Sequence, residues 1–497
     1  MILVLDFGSQ YNRLIARKVR QLNVFSQIVP CDYPIEQVRA LKPEGIILSG
    51  GPASIYAEGA PRLSPELLDL GTPVLGICYG LQATAYALGG HVARSPFREY
   101  GFAQLHIIKD DPLFEDVADE SQVWMSHGDS VERAPEDFDV LARTANCPNT
   151  ILRHHSRPIY GLQFHPEVHH TVYGNQLLAN FVLKICRAKP TWRMASFIET
   201  ETDKIRERVG NRRVLCAVSG GVDSTVLSVL LRHAIGDQLR CVSIDNGVLR
   251  HREAEQVCAQ FRDELGFEIE LIDASAEFLD LLRGVVDPEE KRRRIGRKFI
   301  EVFLAQLGPD DFLAQGTLYP DVIETVSTAG PSAHIKTHHN RVQEVLDLIE
   351  QGRVIEPLAD LFKDEVRVLG DALGIPQNVV HRQPFPGPGL AIRILGEVTP
   401  ERLALLRKAD VITIEEIRAA GLYEAIWQSF PVLLPIQSVG VMGDERTYEY
   451  TIAIRAVQSV DGMTADWSRL PYEVLARISN RIINEVRGIN RVVYDIS

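Results

Sequence analysis

The stretch Gly76-Ile77-Cys78-Tyr79-Gly80 decides the fold of the N-terminal part of the chain. It follows the apolar run Pro73–Ile77 and precedes a helical pattern at Leu81–Leu88. A strand, a sharp turn and a helix in this order form a nucleophile elbow, in which small glycines let the backbone turn tightly. The helix N-terminus behind the turn stabilises a thiolate, so we interpret Cys78 as a candidate nucleophile.

Two further motifs supply what a cysteine nucleophile needs. His165-Pro166-Glu167 follows the strand-like run Ile159–Phe164, and a carboxylate two positions from the imidazole can hold it in the active tautomer. The turn Ser49-Gly50-Gly51-Pro52 follows a strand-like run, and its free N–H groups could face an oxyanion. Each motif alone has an ordinary structural explanation, but all three at the ends of predicted strands favour catalysis.

The apolar pattern around these motifs predicts an α/β fold. Buried parallel strands with crossover helices are expected at the following runs: strands Ile2–Asp6, Gly45–Leu48, Pro73–Ile77 and Ile159–Phe164, with helices Gln10–Leu22 and Leu81–Leu88. A second α/β part has predicted strands at Arg213–Val218, Leu239–Asp245, Glu268–Asp273 and Asp311–Gln315. The proline- and glycine-rich turn Gln383–Gly389 ends this pattern, and an α+β segment follows. We therefore predict three domains: 1–187 and 188–382, each a doubly wound parallel sheet, and an α+β domain at 383–497.

The composition limits the classes of partner. The 497 residues carry 53 basic and 66 acidic side chains, a formal net charge of −13, which argues against nucleic acid or anionic lipid as a main partner. The 7 cysteines lack paired spacing, as expected of a reduced, cytoplasmic protein. We find no signal peptide pattern and no apolar stretch of about 20 residues that would span a membrane.

A second constellation indicates a phosphate site. Ser219-Gly220-Gly221-Val222-Asp223-Ser224 follows a predicted strand and opens an amphipathic helix at Thr225–His233. Backbone N–H groups at a helix N-terminus, together with glycine-rich geometry, bind anions. The loop lacks the Gly-Lys-Ser/Thr of a Walker A motif and the spacing of a dinucleotide fingerprint. For Lys363–Arg367, which opens a later amphipathic helix, we expect simple packing.

These motifs resemble two known families. Cys78, His165, Glu167 and the glycine-rich turn resemble the class I glutamine amidotransferases, which have a flavodoxin-like fold. The resemblance implies that Cys78 attacks glutamine with His165 and Glu167 completing the triad. It also implies that Gly51 and Tyr79 supply oxyanion N–H groups, and that glutamine is held by Gln82, Ser126, His127, Gly128 and Asp129.

The second loop resembles that of the ATP pyrophosphatases, which have an adenine-nucleotide-hydrolase-like fold. The resemblance implies that Asp223 binds Mg²⁺ accompanying ATP. The ATP site is then expected to contain the loop residues Ser219, Gly220, Gly221, Val222, Asp223 and Ser224. Asp245, Gln315 and Gly316 end later predicted strands and are candidate walls of the same site, and we place Lys336 on a mobile lid over the nucleotide.

The whole chain, residues 1–497, resembles the glutamine-hydrolysing GMP synthetase family. This resemblance implies amination of xanthosine monophosphate (XMP) through an adenylyl-XMP intermediate, with products GMP, AMP, diphosphate and glutamate. It also implies a homodimer formed through the C-terminal domain, and an XMP site that includes Arg292, Gln428, Asp444 and Arg446. The alternative is a catalytically silent glutamine or nucleotide sensor on the same scaffold, which a glutaminase assay would distinguish.

Overall fold

The computed structural model of the protein describes residues 1–326, 343–442, 445–459 and 466–497. The chain divides into two compact units, of which the first contains Met1–Ser196 and the second begins at Phe197. The domain boundaries expected after residues 187 and 382 remain predictions.

The first unit is built on a nine-stranded sheet. The strands are β1 (Ile2–Asp6), β2 (Ser26–Pro30), β3 (Gly45–Leu48), β4 (Val74–Ile77), β5 (His91–Ile107), β6 (Glu120–Arg133), β7 (Phe138–Arg143), β8 (Ile151–His154) and β9 (Ile159–Leu162). The helices are α1 (Asn12–Gln21), α2 (Ile35–Leu41), α3 (Pro65–Leu68), α4 (Tyr79–Ala87) and α5 (Gly174–Ala179). The strand order is β2-β1-β3-β4-β9-β8-β7-β5-β6.

The predicted parallel core of this sheet is confirmed. Strands β2, β1, β3, β4 and β9 run parallel, and β3 and β4 are buried along their whole length, as expected of continuous apolar runs. The antiparallel strands β5 to β8 were not predicted. In β6, buried and exposed positions largely alternate, so this strand has no continuous apolar run that would mark it in the sequence.

The elements that follow in the chain form a parallel sheet and a mixed, mainly antiparallel sheet. The strands are β10 (Val214–Ala217), β11 (Leu239–Asp245), β12 (Glu270–Asp273), β13 (Phe312–Ala314), β14 (Val354–Ile355), β15 (Gln428–Met442), β16 (Glu445–Gln458), β17 (Asp466–Trp467) and β18 (Ile489–Asp495). The helices are α6 (Met194–Val209), α7 (Val222–Ile235), α8 (Glu253–Glu264), α9 (Ser275–Leu281), α10 (Pro288–Leu304), α11 (Tyr319–Val326), α12 (Gln343–Glu350), α13 (Lys363–Ala372), α14 (Gln377–Val380), α15 (Pro400–Ala419) and α16 (Tyr472–Glu485).

The two sheets of the second unit share one hydrophobic core. Over the described residues, the parallel sheet has the order β12-β11-β10-β13-β14, the arrangement expected of a doubly wound domain. Strand β16 pairs antiparallel with β15 and β17 and parallel with β18. The core runs from Val242 in the parallel sheet through Leu406 of α15 to Leu433 and Ile478. Among the described residues, we find no helix with the length and hydrophobicity that a membrane span requires.

The close approach of α4 to β3 depends on Gly80. A Cβ at this position would lie 2.4 Å from the Leu48 carbonyl oxygen, a backbone atom that cannot turn away. We therefore expect Gly80→Ala to reduce the free energy of unfolding of the first unit by about 1–3 kcal/mol. Chemical denaturation followed by circular dichroism measures this change. As a control for stability alone, Gly128→Ala introduces a Cβ that meets only the Tyr100 hydroxyl, at 4.0 Å, and an equal loss in both variants would contradict the steric argument.

Candidate active site

Cys78 lies at the sharp turn between β4 and α4. Its φ of +51° is in the left-handed region that non-glycine residues seldom adopt, as expected of a strained nucleophile elbow. The main-chain N–H of Cys78 donates to the Leu162 carbonyl at 2.7 Å, which ties the turn to β9. The sulfur is almost fully buried and lies 3.7 Å from the Ser126 carbonyl oxygen.

His165 and Glu167 form a buried pair beside this sulfur. His165 Nδ1 and Glu167 Oε1 are 2.8 Å apart, and Glu167 is fully buried. Burial alone would lower the pKa of His165, but the Glu167 carboxylate and the hydrogen bond with Cys78 outweigh it and hold that pKa well above its usual range. The protonated imidazole is thereby favoured beside the Cys78 sulfur. The ring of Tyr11 packs edge-on against the imidazole at 5.3 Å between centroids.

The two residues predicted to supply oxyanion N–H groups, Gly51 and Tyr79, are chain neighbours of Gly50 and Cys78. A Cβ at Gly50 would be 3.1 Å from His165 Cε1 and 3.7 Å from Cys78 Cβ, so the turn that carries Gly51 covers the nucleophile. Tyr79 is the first residue of α4, where main-chain N–H groups have no partner within the helix. Its hydroxyl donates to the Pro61 carbonyl at 2.7 Å, which orients the start of the helix.

The residues expected to hold glutamine lie on β6 and α4. Ser126, His127, Gly128 and Asp129 are consecutive in β6, and Gln82 Nε2 donates to the Asp129 carbonyl at 2.6 Å. The structure therefore brings this set to the edge of the triad. His127 is buried, and its Nε2 lies 3.2 Å from Glu99 Oε2. Burial lowers the pKa of His127 despite this neighbouring carboxylate. Glu99 and Tyr11 were not predicted beside the site, because neither belongs to a recognised motif.

The predicted phosphate loop lies between β10 and α7. Ser219 Oγ and Ser224 Oγ are 3.1 Å apart, and the Ser219 N–H donates to Ser224 Oγ at 3.2 Å. Gly220 has a φ of +71°, so its backbone conformation favours glycine. Val222 begins α7 and Asp223 lies in its first turn. Asp223 Oδ2 accepts a hydrogen bond from Lys363 at 2.9 Å, whereas its buried Oδ1 has no hydrogen-bond partner in the described part of the chain.

A cavity of about 440 Å³ opens beside this loop. Gln315 and Gly316, which follow β13 and were predicted for the ATP site, line this cavity together with Arg292 of α10, which was predicted for the XMP site. The turn after β11 contributes to the wall through Asn246, whereas Asp245, the last residue of the strand and predicted for the ATP site, does not line the cavity. Its carboxylate accepts the Gly247 N–H at 2.8 Å and closes the turn after the strand.

The expectation of simple packing for Lys363 and Arg367 is wrong. Both side chains line the cavity, and Lys363 contacts Asp223 directly. A sequence signal existed, because a lysine at the start of a helix is opposed by the helix dipole and indicates another role. Arg382 was also missed: it pairs with Glu253 and donates to the Gly220 carbonyl at 2.9 Å.

The predicted XMP residues are not gathered at one place within a single chain. Gln428 donates to the carbonyl of Pro384, which lines the cavity. Gln428 pairs with Val457, whereas the exposed Arg446 lies eleven residues earlier on β16. At about 3.3 Å per residue, the two are roughly 36 Å apart along the ribbon. The predicted site residues Lys336 and Asp444 lie outside the described residues.

Comparison with known proteins identifies the family. A model described as "Glutamine amidotransferase class-I" matches residues 3–185, and one described as "GMP synthase C terminal domain" matches residues 415–497. The chain is similar to the GMP synthase (glutamine-hydrolyzing) of Aquifex aeolicus, with 55% identity over 100% of this chain and 97% of the relative. It is 53% identical to the protein of that name from Nostoc sp. and 54% identical to that from Chlorobium chlorochromatii, over 100% of this chain and 94% and 98% of those relatives. The chain therefore belongs to the glutamine-hydrolysing GMP synthase family, the ligases that form GMP with nitrogen taken from glutamine.

Proposed function

We propose that the two units divide the family's reaction between them. The first unit hydrolyses glutamine to glutamate and ammonia, and the second uses ATP to form adenylyl-XMP, which ammonia attacks to give GMP and AMP. The observation that carries this proposal is the combination, in one chain, of a buried Cys-His-Glu arrangement and a phosphate loop with a free carboxylate oxygen at Asp223 in the described part of the structure.

In the first unit, the Cys78 sulfur attacks the carboxamide carbon of glutamine. His165 takes the thiol proton and gives it to the departing ammonia, leaving a glutamyl thioester. The N–H groups of Gly51 and Tyr79 stabilise the tetrahedral oxyanion. Water then attacks the thioester with His165 as the base, the C–S bond breaks to release glutamate, and the proton returns to the Cys78 sulfur. Glu167 supports both steps because its carboxylate favours the protonated imidazole.

In the second unit, the residues around Asp223 fit a magnesium ion that accompanies ATP. Carboxylate and phosphate oxygens are the ligands that Mg²⁺ prefers, and Asp223 Oδ1 is buried without a partner among the described residues. When bound, the ion neutralises negative charge on the phosphates. Ser219, Ser224 and the loop N–H groups hold the diphosphate that leaves, and Lys363 adds a positive charge at the same place.

We also propose that the chain forms a homodimer through its C-terminal sheet. Val439 and Tyr448 are directly opposite each other on β15 and β16, and both are exposed, as are Ile436 and Val493. Exposed apolar side chains on one sheet are suited to a second copy of the chain. A partner could then supply Arg446 to the XMP pocket, in which Arg292 and Gln428 belong to the other chain.

The cellular setting is also a proposal. All 7 cysteines are free thiols in the structure, which supports the cytoplasm as the compartment. The net charge of −13 supports small anionic substrates held by local arginines rather than nucleic acid.

A sensor without catalysis would not need the Cys78–His165 contact. Release of glutamate and ammonia from glutamine distinguishes an enzyme from such a sensor.

We expect Cys78→Ala to abolish glutamine-dependent GMP synthesis and to leave ammonia-dependent synthesis within twofold of the wild type. The thiolate is needed only to form the thioester. GMP formation is measured with saturating XMP and ATP, with either glutamine or ammonium chloride as the nitrogen source. Loss of both activities in a folded variant would contradict the division between the units.

Asp223→Ala should remove synthesis with either nitrogen source, and diphosphate release should fall at least a hundredfold. The carboxylate is expected to hold Mg²⁺ where charge develops on the leaving diphosphate. The matched control is Asp237→Ala, because Asp237 is an exposed acid that pairs with Arg232 at the other end of α7. Near-normal diphosphate release in Asp223→Ala would assign this carboxylate to helix stabilisation alone.

Arg446→Ala should raise the KM for XMP at least tenfold while glutamine hydrolysis at Cys78 stays intact. A lost charge-assisted contact of about 1.5–3 kcal/mol corresponds to this factor or more.

Co-expression with Asp223→Ala tests whether Arg446 acts across the dimer. A mixed dimer regains one complete XMP site only if the arginine comes from the partner, so activity well above either parent supports that arrangement. Activity no higher than the parents would place Arg446 in the pocket of its own chain.

A further inference from the structure

Gln163 lies between strand β9 and the base His165, and its side chain is fully buried. Its Nε2 is 3.7 Å from the sulfur of Cys78, within hydrogen-bond distance for a sulfur acceptor. We propose that Gln163 is a further catalytic residue of glutamine hydrolysis, whose side-chain N–H stabilises the Cys78 thiolate. This inference rests on the role proposed for Cys78 as the nucleophile.

Two uncharged groups contact the Cys78 sulfur, and one favours its thiol form while the other favours its thiolate form. The Ser126 carbonyl oxygen, at 3.7 Å, accepts the S–H hydrogen bond and therefore favours the neutral thiol. Once the proton has moved to His165, this oxygen faces a negative sulfur and no longer has a hydrogen to accept. An amide N–H such as that of Gln163 donates more strongly to an anion than to a neutral thiol. Gln163 therefore offsets the carbonyl and favours the reactive form.

The backbone holds Gln163 firmly at this position. The residue before it, Leu162, accepts the main-chain N–H of Cys78 at 2.7 Å, and the Gln163 N–H donates to Thr150 at 2.8 Å. The main chain that carries Gln163 is thus anchored on both sides by hydrogen bonds next to the nucleophile. Such anchoring allows a donor to act without reorganisation during the reaction.

A purely structural role does not account for a glutamine here. Its Oε1 is buried and has no hydrogen-bond partner in the described part of the chain. A buried carbonyl oxygen without a donor is unfavourable for folding, so an apolar side chain of similar size would suit the packing better. The group that explains a glutamine at this position is therefore its side-chain N–H, which is directed at the Cys78 sulfur.

The test compares Gln163→Met, which keeps the length of the side chain and removes the donor, with Gln163→Glu, which keeps its shape and adds a negative charge. Gln122→Met is the matched control, because Gln122 is exposed on β6 and donates to the His170 carbonyl. The full-length protein is treated with iodoacetamide over a range of pH, and alkylation of the peptide that contains Cys78 is followed by mass spectrometry.

At about pH 7, alkylation of Cys78 should be at least fivefold slower in Gln163→Met than in the wild type, and slower still in Gln163→Glu. At about pH 10, where a thiol is ionised without assistance, the wild type and Gln163→Met should react at similar rates. Glutamine hydrolysis should lose kcat with KM for glutamine within threefold, and ammonia-dependent synthesis should not change.

Two results would overturn the inference: unchanged alkylation of Gln163→Met at neutral pH, or an equal loss at every pH, which would indicate altered access to the sulfur. If Gln163→Met does not fold, Gln163→Asn decides, because its shorter amide withdraws the donor from the sulfur and should give the same loss at neutral pH alone. A Cys78→Ala variant, with Gln163 unchanged, that still hydrolyses glutamine would instead overturn the proposed nucleophile.

Discussion

In a parallel sheet, all strands present their carboxyl ends at the same edge, and both candidate sites depend on this constraint. In the first unit, the turns after β3, β4 and β9 carry Gly50, Cys78 and His165, which come from positions far apart in the sequence. The β4–β9 pairing brings the last two together. In the second unit, the phosphate loop after β10 and Gln315 after β13 line one cavity for the same reason.

The chemistry then depends on charges that the fold removes from water. Glu167 is fully buried next to His165, and burying this carboxylate is tolerable because the imidazole neighbours it. The same pair favours the protonated form of His165. One interaction therefore both compensates the burial of the Glu167 carboxylate and prepares His165 for catalysis. In the second unit, Lys363 occupies one oxygen of Asp223 and leaves the other for a cation.

A buried charge network joins the proline-rich turn of the second unit to α15. Asp410 lies 3.3 Å from Arg250 and 3.7 Å from Arg393. Burial raises the pKa of Asp410 and lowers that of Arg393 to about 9, so each group depends on its oppositely charged neighbours to stay ionised. Arg393 also packs over the rings of Phe385 and Phe430 at 4.9 and 4.1 Å. These contacts fix the turn Gln383–Gly389, whose residues Gln383 and Pro384 line the cavity.

The sequence by itself determined the parallel cores, the elbow at Cys78, the His165–Glu167 pair and the phosphate loop, because each depends on local periodicity and on residues a few positions apart. Only the tertiary structure decided which distant groups complete the sites. Lys363 reaches Asp223 across 140 positions, and Gln163 reaches Cys78 across 85. It also showed that Gln428 and Arg446 lie far apart on the paired strands β15 and β16 of one chain, although the family resemblance implies that both belong to one XMP pocket. Contacts of this kind depend on strand order, register and packing direction, which no short stretch of sequence specifies.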